Sequence, residues 1–241
     1  MNDQPIESAG HITLELDVVD IWDTIQGEGP YVGMPAVFVR LAGCNLQCPL
    51  CDTNYTKGRR WFPVMYLAQR IATQWAHREV VVITGGEPFR QALALQRLCH
   101  ELVIRDKAVQ IETNGVIATE MLEKIDWTAL DYQDVVQPNP LIVCSPKTPK
   151  VTIPSQVVFA WKYVLRAGEV DPVDGLPTSV LGGRGSPHRP PPHWSRQQVY
   201  VQPADEKDPE LNQRNLEVAL ASCQKFGYRF SLQVHKLIGV A

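Results

Sequence analysis

The sequence predicts a sheet of parallel strands joined by helices. Short apolar runs rich in β-branched residues alternate with stretches whose apolar residues recur at helical spacing along the 241 residues. A repeated strand–helix–strand order favours a parallel α/β sheet with right-handed crossovers, and continuous apolar strands fit burial on both faces. The predicted strands are Val37–Leu41, Val80–Ile83, Val109–Ile111, Leu141–Cys144, Trp161–Leu165, Val199–Val201 and Phe230–Val234.

Three stretches between these strands carry the helical period. The first is Met65–Trp75, and the second is Arg90–Ile104, whose leucines recur on one face. The third is Pro209–Phe226, which begins with a proline, a residue suited to the first turn of a helix. Their lengths and positions fit the crossovers of a parallel sheet.

Polar or glycine-rich segments follow five of the predicted strands. The carboxyl ends of parallel strands meet at one edge of a sheet, where α/β enzymes place their active sites. These segments are therefore expected to share one rim and to form an active-site face. They are the cysteine loop (Cys44–Cys51), Thr84–Pro88, Glu112–Gly115, Ser145–Lys147 and Gln202–Pro203.

The composition indicates a single soluble domain spanning residues 1–241. Hydrophobic residues make up 44% and charged residues 20% of the chain, as in ordinary globular proteins. The net charge of −3 argues against nucleic acid as the main partner, and no apolar stretch is long enough to cross a bilayer. The polar N-terminus, Met1–Pro5, carries no signal sequence, so a cytoplasmic location is expected.

One stretch, at about 167–198, breaks the rhythm of strands and helices. It is rich in proline and glycine and shows neither the helical nor the strand period. We interpret it as a long flexible surface insertion. Either it is a tolerated decoration, which is the more common case, or it binds a partner or forms a lid.

The cysteine loop carries the spacing C-x3-C-x2-C, with thiols at Cys44, Cys48 and Cys51. Three thiolates from one loop suit a [4Fe–4S] cluster, because sulfur ligands hold iron and the fourth iron stays open to a small molecule. A structural zinc site is the alternative, with its fourth ligand drawn from His11, Cys99, Cys144 or His235. Disulfides are not expected in a reducing compartment.

The cysteine loop, followed on the next strand by Gly85-Gly86-Glu87-Pro88, resembles the radical S-adenosylmethionine (SAM) superfamily. The resemblance implies an abbreviated (partial) parallel (β/α) barrel. It also implies that SAM binds the open iron of the cluster. Glycines without side chains suit a turn where the backbone must approach the cofactor closely.

Four further segments narrow this resemblance to the 7-carboxy-7-deazaguanine synthases: Thr24–Pro30, Phe38–Cys44, Cys51–Thr53 and Gln233–Ala241. The resemblance implies a lyase that converts 6-carboxy-5,6,7,8-tetrahydropterin to 7-carboxy-7-deazaguanine, with loss of ammonia, in queuosine and 7-deazapurine biosynthesis. It further implies Mg²⁺, a homodimer, and an electron-donating reductase such as flavodoxin, with no nucleic-acid or membrane partner.

The resemblance assigns roles to individual residues of this chain. Cys44, Cys48 and Cys51 would hold the cluster, and Thr53 would bind Mg²⁺, with Asp52 beside it. The residues expected to bind substrate are Gln26, Gly27, Glu28, Arg40, His235 and Ala241. Those expected to bind SAM are Gly85, Gly86, Glu87, Thr113, Asn114, Ser145, Lys147 and Gln202.

Lys162 lies inside a predicted strand, so it either points into the barrel or is an exposed strand lysine. Two other functions also fit the cysteine loop. One is an activase of glycyl-radical enzymes, although a protein substrate would not need the closed small-molecule pocket that Arg40 and His235 imply. The other is a zinc or cluster protein without catalysis.

Overall fold

The computed structural model describes residues 2–8, 13–49, 51–117, 129–132, 135–138, 140–180 and 185–240. In these ranges the strands are β1 (Glu15–Ile25), β2 (Pro35–Leu41), β3 (Arg60–Pro63), β4 (Val80–Gly85), β5 (Ala108–Thr113), β6 (Ala129–Tyr132), β7 (Val135–Pro138), β8 (Leu141–Cys144), β9 (Ala160–Leu165), β10 (Val199–Pro203) and β11 (Arg229–Phe230). The helices are α1 (Val64–Gln74), α2 (Ala92–Val103), α3 (Pro209–Phe226) and α4 (Val234–Leu237).

One large sheet dominates the fold. Among the described residues its strand order is β3-β1-β2-β4-β5-β8-β9-β10-β11, with β6 and β7 forming a separate hairpin. Along the series β2, β4, β5, β8, β9, β10 and β11, each strand pairs parallel with the one before it and lies on the same side of it. Because crossovers are right-handed, a chain that always steps in one direction keeps its connections on one face of the sheet.

The predicted parallel strands are confirmed, and the sheet also has an antiparallel edge that was not predicted. β1 pairs antiparallel with β2, and β3 pairs antiparallel with β1, so two strands that the sequence pattern missed form one edge. β1 was missed because charged and polar residues interrupt its apolar positions. Asp20 and Asp23 lie within it and leave no continuous apolar run.

The predicted helices are confirmed, with shifts at their ends. α3 has the predicted bounds because Asp208 caps its first turn, accepting from Glu210 N (2.9 Å) and Leu211 N (3.0 Å), and Gly227 ends it in the left-handed region. α2 begins later than predicted, after a short 3-10 turn at Pro88–Gln91. In the described residues, no helix has the length and hydropathy of a membrane span.

The last predicted strand, Phe230–Val234, is wrong beyond its first residue. β11 ends at Phe230, and Val234 instead begins α4. The backbone N–H of Val234 donates to Gly27 O (3.1 Å), so the tail pairs with a loop near the start of the chain. This tertiary contact overrides the β-propensity of the run.

The proline-rich segment packs against the sheet more closely than a surface insertion would. Leu176 is 1% exposed, and Ser222 Oγ on α3 donates to Gly175 O (2.6 Å). The segment connects β9 to β10, the position where a parallel sheet usually has a helix. The expected surface insertion thus has a buried part, which covers the sheet without helical geometry.

The two faces of the sheet differ in chemistry. One face packs against α1, α2 and α3 in the main core. The other, here called the inner face, is apolar near the starts of the strands, where its buried residues are Ala36, Val80, Val82, Ala108, Leu141, Val143 and Ala160. Strand alternation and register place polar residues on the same face toward the carboxyl ends, namely Arg40, Thr84, Glu112, Lys162 and Gln202.

Candidate active site

The cysteine loop leaves the carboxyl end of β2. Cys44 is buried, whereas Cys48 and Cys51 are partly exposed and joined by a backbone hydrogen bond from Cys51 N to Cys48 O (3.1 Å). Burial raises the pKa of Cys44 to about 12, and the nearby charges of Glu87, Cys48 and Cys51 act in the same direction. A metal centre would have to displace these protons, as thiolate ligation does.

The start of the chain braces this loop, which sequence reasoning missed. Glu7 N donates to Cys44 O (2.7 Å), and Asn2 Nδ2 donates to Cys48 O (3.1 Å). Gln4 binds the segment that follows the loop: its Nε2 donates to Thr53 O (2.9 Å), and its Oε1 accepts from Tyr55 N (2.8 Å). These polar residues carry no periodic signal, so nothing in the sequence pattern distinguishes them from a solvated terminus.

The glycine turn after β4 packs directly on the start of the cysteine loop. Gly86 N donates to Leu41 O (3.1 Å), and Glu87 N donates to Gly43 O (3.0 Å). A Cβ on Gly85 would overlap the backbone of Leu41, and one on Gly86 would overlap the carbonyl of Gly43. These glycines are therefore needed for the packing of two backbones, independently of any cofactor.

Glu87 is fully buried and its carboxylate is occupied by protein donors. Oε1 accepts from Thr113 Oγ1 (2.7 Å) and Phe89 N (3.1 Å), and Oε2 accepts from Asn114 N (2.8 Å). Burial raises the pKa of Glu87 despite these donors. The side chain thus joins the ends of β4 and β5, and its carboxylate serves the protein's own structure.

The remaining residues expected to bind SAM continue along the same rim. Asn114 Nδ2 donates to Asn45 Oδ1 in the cysteine loop (2.8 Å), and Ser145 N donates to Thr113 O (2.8 Å). Lys147 Nζ donates to Ser145 Oγ (2.9 Å), and burial lowers its pKa, with Lys162 adding to the effect. Gln202 is 5% exposed, on the inner face.

The donor set of the loop fits a cluster better than a single zinc ion. Within the described ranges, no three His, Cys, Asp or Glu side chains are close enough together to hold one metal ion. Of the proposed fourth ligands, Cys99 and Cys144 are in the main core, His235 packs against Gly27, and His11 is outside the described residues. Three thiols in one loop are the usual ligands of a cubane with an open iron.

A second group of residues lies on the inner face, where the loop after β1 meets the chain's end. Gln26 is buried, and its Oε1 accepts from Glu28 N (3.1 Å). Gly27 lies under the imidazole of His235, so that a Cβ at Gly27 would overlap Nδ1 of that ring. Gly29 N donates to Ser231 Oγ (3.2 Å). The expected substrate residues Gln26, Gly27, Glu28 and His235 are thus brought together. Ala241 is outside the described residues.

Glu28 pairs with Lys162, which resolves the two alternatives for that lysine. Lys162 Nζ contacts Glu28 Oε2, and Gln233 Nε2 donates to Glu28 Oε1 (2.8 Å). Burial alone would raise the pKa of Glu28, but Lys162 and Gln233 more than offset it, so this pKa lies below its ordinary value. Lys162 therefore points inward, not to solvent.

The sequence placed Glu112 on the rim, in the segment Glu112–Gly115, but assigned it no role. Its carboxylate accepts from Thr84 Oγ1 (3.1 Å), Gln110 Nε2 (3.1 Å) and Gln26 Nε2 (3.3 Å). The available signal was the run Val109-Gln110-Ile111-Glu112, in which polar residues alternate with apolar ones inside a buried strand. Such alternation indicates that one face of the strand is not core.

Arg40 lies on the inner face with its guanidinium over the ring of Trp22 (4.7 Å to the centroid). Its Nε is buried and has no hydrogen-bond partner among the described residues. Arg40 also lines an open cleft of about 640 Å³ together with Asp20, Asn54, Lys57 and Arg60. The cleft is mostly cationic, so it suits an anionic group.

Thr53 and Asp52 follow the cysteine loop and offer oxygen ligands. Thr53 Oγ1 donates to Asp52 Oδ1 (3.2 Å), and Asp52 Oδ2 lies 3.9 Å from Lys236 Nζ near the chain's end. Adjacent hydroxyl and carboxylate oxygens are the hard donors that Mg²⁺ prefers, with water or substrate completing its shell.

Several buried polar atoms on the inner face have no protein partner within the described residues. They are Thr24 Oγ1, Arg40 Nε, Gln110 Oε1 and Gln202 Oε1. Buried polar groups are normally hydrogen-bonded, so an unpaired atom indicates a place for water or a polar ligand. Of these four residues, Arg40 and Gln202 lie toward the carboxyl ends of β2 and β10, where the inner face therefore offers a donor and an acceptor to a ligand.

Comparison with known proteins gives a consistent result. The family described as the radical SAM superfamily matches residues 39–132. A 7-carboxy-7-deazaguanine synthase of Rhodospirillum rubrum is 40% identical over 239 residues, covering 93% of this chain and 92% of that protein. One from Rickettsia prowazekii is 32% identical, covering 94% and 89%. The crystal structure of QueE from Escherichia coli has the same fold, with a TM-score of 0.60 at 20% identity, covering 91% of this chain and 94% of that one.

Proposed function

Because the chain belongs to the 7-carboxy-7-deazaguanine synthase family of the radical SAM superfamily, we propose that it converts 6-carboxy-5,6,7,8-tetrahydropterin to 7-carboxy-7-deazaguanine with loss of ammonia. It is an enzyme, a carbon–nitrogen lyase, and its activity is that of a 7-carboxy-7-deazaguanine synthase in queuosine biosynthesis. Its fold is the partial barrel of mostly parallel strands found in QueE. The substrate and the residue roles below are our proposals.

The observation that carries the proposal is the meeting of two groups of residues at one rim. The end of β5 joins them. Glu112 accepts from Gln26 Nε2 in one group (3.3 Å), and the next two residues, Thr113 and Asn114, donate to Glu87 (2.7 Å) and to Asn45 of the cysteine loop (2.8 Å) in the other. A site for an iron–sulfur cluster and SAM would therefore lie beside a pocket with paired charges. This is the arrangement that a small-molecule radical reaction needs.

In the proposed roles, Cys44, Cys48 and Cys51 hold a [4Fe–4S] cluster, and the backbone at Gly85, Gly86 and Glu87 approaches SAM. The side chains proposed to complete the SAM site are Thr113, Asn114, Ser145, Lys147 and Gln202. When bound, cluster and SAM supply the one-electron chemistry that starts the reaction.

The chain's own residues would hold the substrate at both ends. Arg40 would pair its planar guanidinium with the substrate carboxylate, and the unpartnered Nε is a donor for that purpose. Glu28 would accept from the ring N–H groups. Thr53, with Asp52, would bind Mg²⁺ at the carboxylate end. His235 and the chain's end would cover the pocket and exclude water.

We further propose that the enzyme works in the cytoplasm as a homodimer and receives electrons from a reductase such as flavodoxin. Neither nucleic acid nor a membrane is part of the proposed reaction. The positive cleft beside Arg40 supports the expectation of an anionic small molecule.

An anaerobic assay tests the proposed reaction. The cluster-reconstituted protein is incubated with SAM, dithionite, Mg²⁺ and 6-carboxytetrahydropterin, and the products are identified by mass spectrometry. We expect 7-carboxy-7-deazaguanine without stoichiometric consumption of SAM. Cleavage of SAM without this product would leave the superfamily intact and reject the substrate.

Arg40→Ala tests the proposed carboxylate site. Loss of a charge-assisted bidentate pair is expected to lower kcat/KM by about 100-fold. Arg40→Lys is the matched control, which keeps the charge but loses the planar fork, and it is expected to recover part of the loss. Iron content and SAM binding should not change in either variant. Normal turnover by Arg40→Ala would reject the assignment.

A further inference from the structure

Lys162 faces the pocket because of strand alternation. Its neighbours Trp161 and Tyr163 are buried in the main core, whereas Ala160 belongs to the core of the inner face. The lysine side chain is only 12% exposed. A buried ammonium group is costly unless it is paired, so its position requires an anionic partner.

That partner is Glu28, whose side chain is 11% exposed. The Nζ of Lys162 contacts Oε2, and Gln233 donates to Oε1 (2.8 Å). A carboxylate has two oxygens and about four acceptor positions, so two protein donors leave about one position on each oxygen. Two adjacent acceptors with a fixed orientation remain for a ligand.

We propose that Lys162 is the positioning residue of the pterin pocket, holding Glu28 ionised and oriented so that its carboxylate accepts two adjacent N–H groups of the substrate's aminopyrimidinone ring. This inference rests on the proposed function. Such a ring carries a ring N–H beside an exocyclic amino group, and an ionised carboxylate matches both donors. A protonated Glu28 would place a third donor against them.

Charged groups from several elements surround this pair. His235 on α4 and Lys147 after β8 act on Glu28, while Glu112 on β5 and Asp52 act on Lys162. Burial would lower the pKa of Lys162, but Glu28 and Glu112 more than offset it and raise it above its ordinary value. Both members of the pair are therefore charged near neutral pH. Without Lys162, burial of Glu28 would be opposed mainly by His235 and Gln233, and its pKa would rise.

The test measures binding of pterin-6-carboxylate, an oxidised and unreactive analogue, to the cluster-loaded protein with SAM. Fluorescence titrations would run from about pH 6 to about pH 8.5. Lys162→Gln is expected to bind about 10- to 100-fold more weakly at the acidic end and to recover as the pH rises and Glu28 ionises. Lys162→Arg keeps a positive charge beside Glu28, so it should restore both the affinity and its independence of pH.

The double variant Lys162→Gln/Glu28→Gln separates positioning from folding. It removes both charges, so its stability should recover relative to Lys162→Gln, whereas its affinity should stay low without the acid-dependent loss. Its profile also serves as the baseline for any pH dependence that does not come from the Lys162–Glu28 pair. KM for the tetrahydropterin should rise in Lys162→Gln in the same pH-dependent way.

Two outcomes would overturn the inference. One is a Lys162→Gln protein that binds as tightly as the wild type at every pH. The other is a loss of the same size at every pH, which would mean that Lys162 contributes contact or packing and does not control the charge of Glu28. Failure of the wild type to form 7-carboxy-7-deazaguanine would instead reject the proposed function, so the two failures are distinguishable.

Discussion

The cysteine loop and the Glu28 pocket lie side by side but are held by different kinds of interaction. Most of the hydrogen bonds that hold the loop engage its own backbone atoms: Gly86 N donates to Leu41 O, Glu87 N to Gly43 O, and Glu7 N to Cys44 O. The pocket is held mainly by pairs of side chains. The pairs Glu28–Lys162, Glu28–Gln233 and Gln26–Glu112 join residues that are 134, 205 and 86 positions apart in the sequence.

This difference indicates how each region should respond to substitution. Backbone hydrogen bonds tolerate most side chains, so the loop should be sensitive at its ligands and at the glycines where backbones touch. The pocket depends on charged side chains that stabilise one another, so a substitution there should alter the charge or the orientation of the neighbouring side chains. Variants of the loop should lose iron and activity together, whereas variants of the pocket should keep iron and lose substrate binding.

Cys51→Ser should have the largest effect. Cys51 is a proposed cluster ligand, and replacing its thiolate with a harder oxygen removes a donor that iron–sulfur clusters require, so iron content and activity should both fall to background. Iron analysis and the visible absorption of the reconstituted protein measure the loss. Cys223→Ala is the matched control, because Cys223 lies in the main core, and it should keep a full cluster. A Cys51→Ser protein that keeps its iron and its activity would contradict the proposal that the loop holds the cluster.

Gly86→Ala should have the next largest effect. The added Cβ would overlap the carbonyl oxygen of Gly43 and contact Cys44, so the loop must shift. Overpacking of this kind costs about 1–3 kcal/mol of stability, and here the strain falls on Cys44, a proposed cluster ligand. We expect reduced iron content and a severe loss of SAM cleavage.

Gly168→Ala is the control for that substitution. Gly168 has a φ of +82° but open space around it, so alanine there should cost about 1 kcal/mol through backbone strain alone. Thermal unfolding should register the change while iron content stays normal. Equal iron loss in both variants would show that general instability, and not contact with the loop, releases the cluster.

Glu112→Gln tests the pocket. The carboxylate accepts from Thr84, Gln110 and Gln26, and an amide cannot accept at its nitrogen, so at least one donor loses its partner. The free energy of unfolding should fall by about 1–3 kcal/mol. KM should rise by about 10-fold because Gln26 loses its orientation. Cluster content and SAM cleavage without substrate should remain normal. Loss of iron would contradict the separation of the two regions.

The same division determines how much of the molecule could be predicted from its sequence. The parallel strands from β2 to β10 and three helices follow from apolar periodicity, which is local. The cysteine loop and the glycine turn are contiguous motifs, so they were found directly. Gln233 and Glu28 are 205 positions apart in the sequence and meet only because the tail folds back onto the loop after β1. No periodicity in the sequence indicates this contact.

Two further features were missed for physical reasons. The N-terminal brace uses polar residues such as Gln4, whose partners are mostly backbone groups, and such residues look like a solvated terminus until the loop is placed against them. The proline-rich segment buries Leu176 without any regular spacing, because irregular backbone can cover a sheet without a helical or strand period.

Lys236→Ala should have the smallest effect, because it removes a partly exposed contact of the tail. Lys236 Nζ lies 2.8 Å from Asp205 Oδ2, and such pairs contribute about 0–1 kcal/mol.

Lys236, the N–H of Lys207 and Asn212 lower the pKa of Asp205 to about 2. The stabilisation is therefore present above the ordinary pKa of 3.8 and is lost as the pH falls toward 2. The difference in free energy of unfolding between wild type and variant should shrink in acid and in high salt. A loss above about 2 kcal/mol would mean that the tail is part of the cooperative core and not a cover over the pocket.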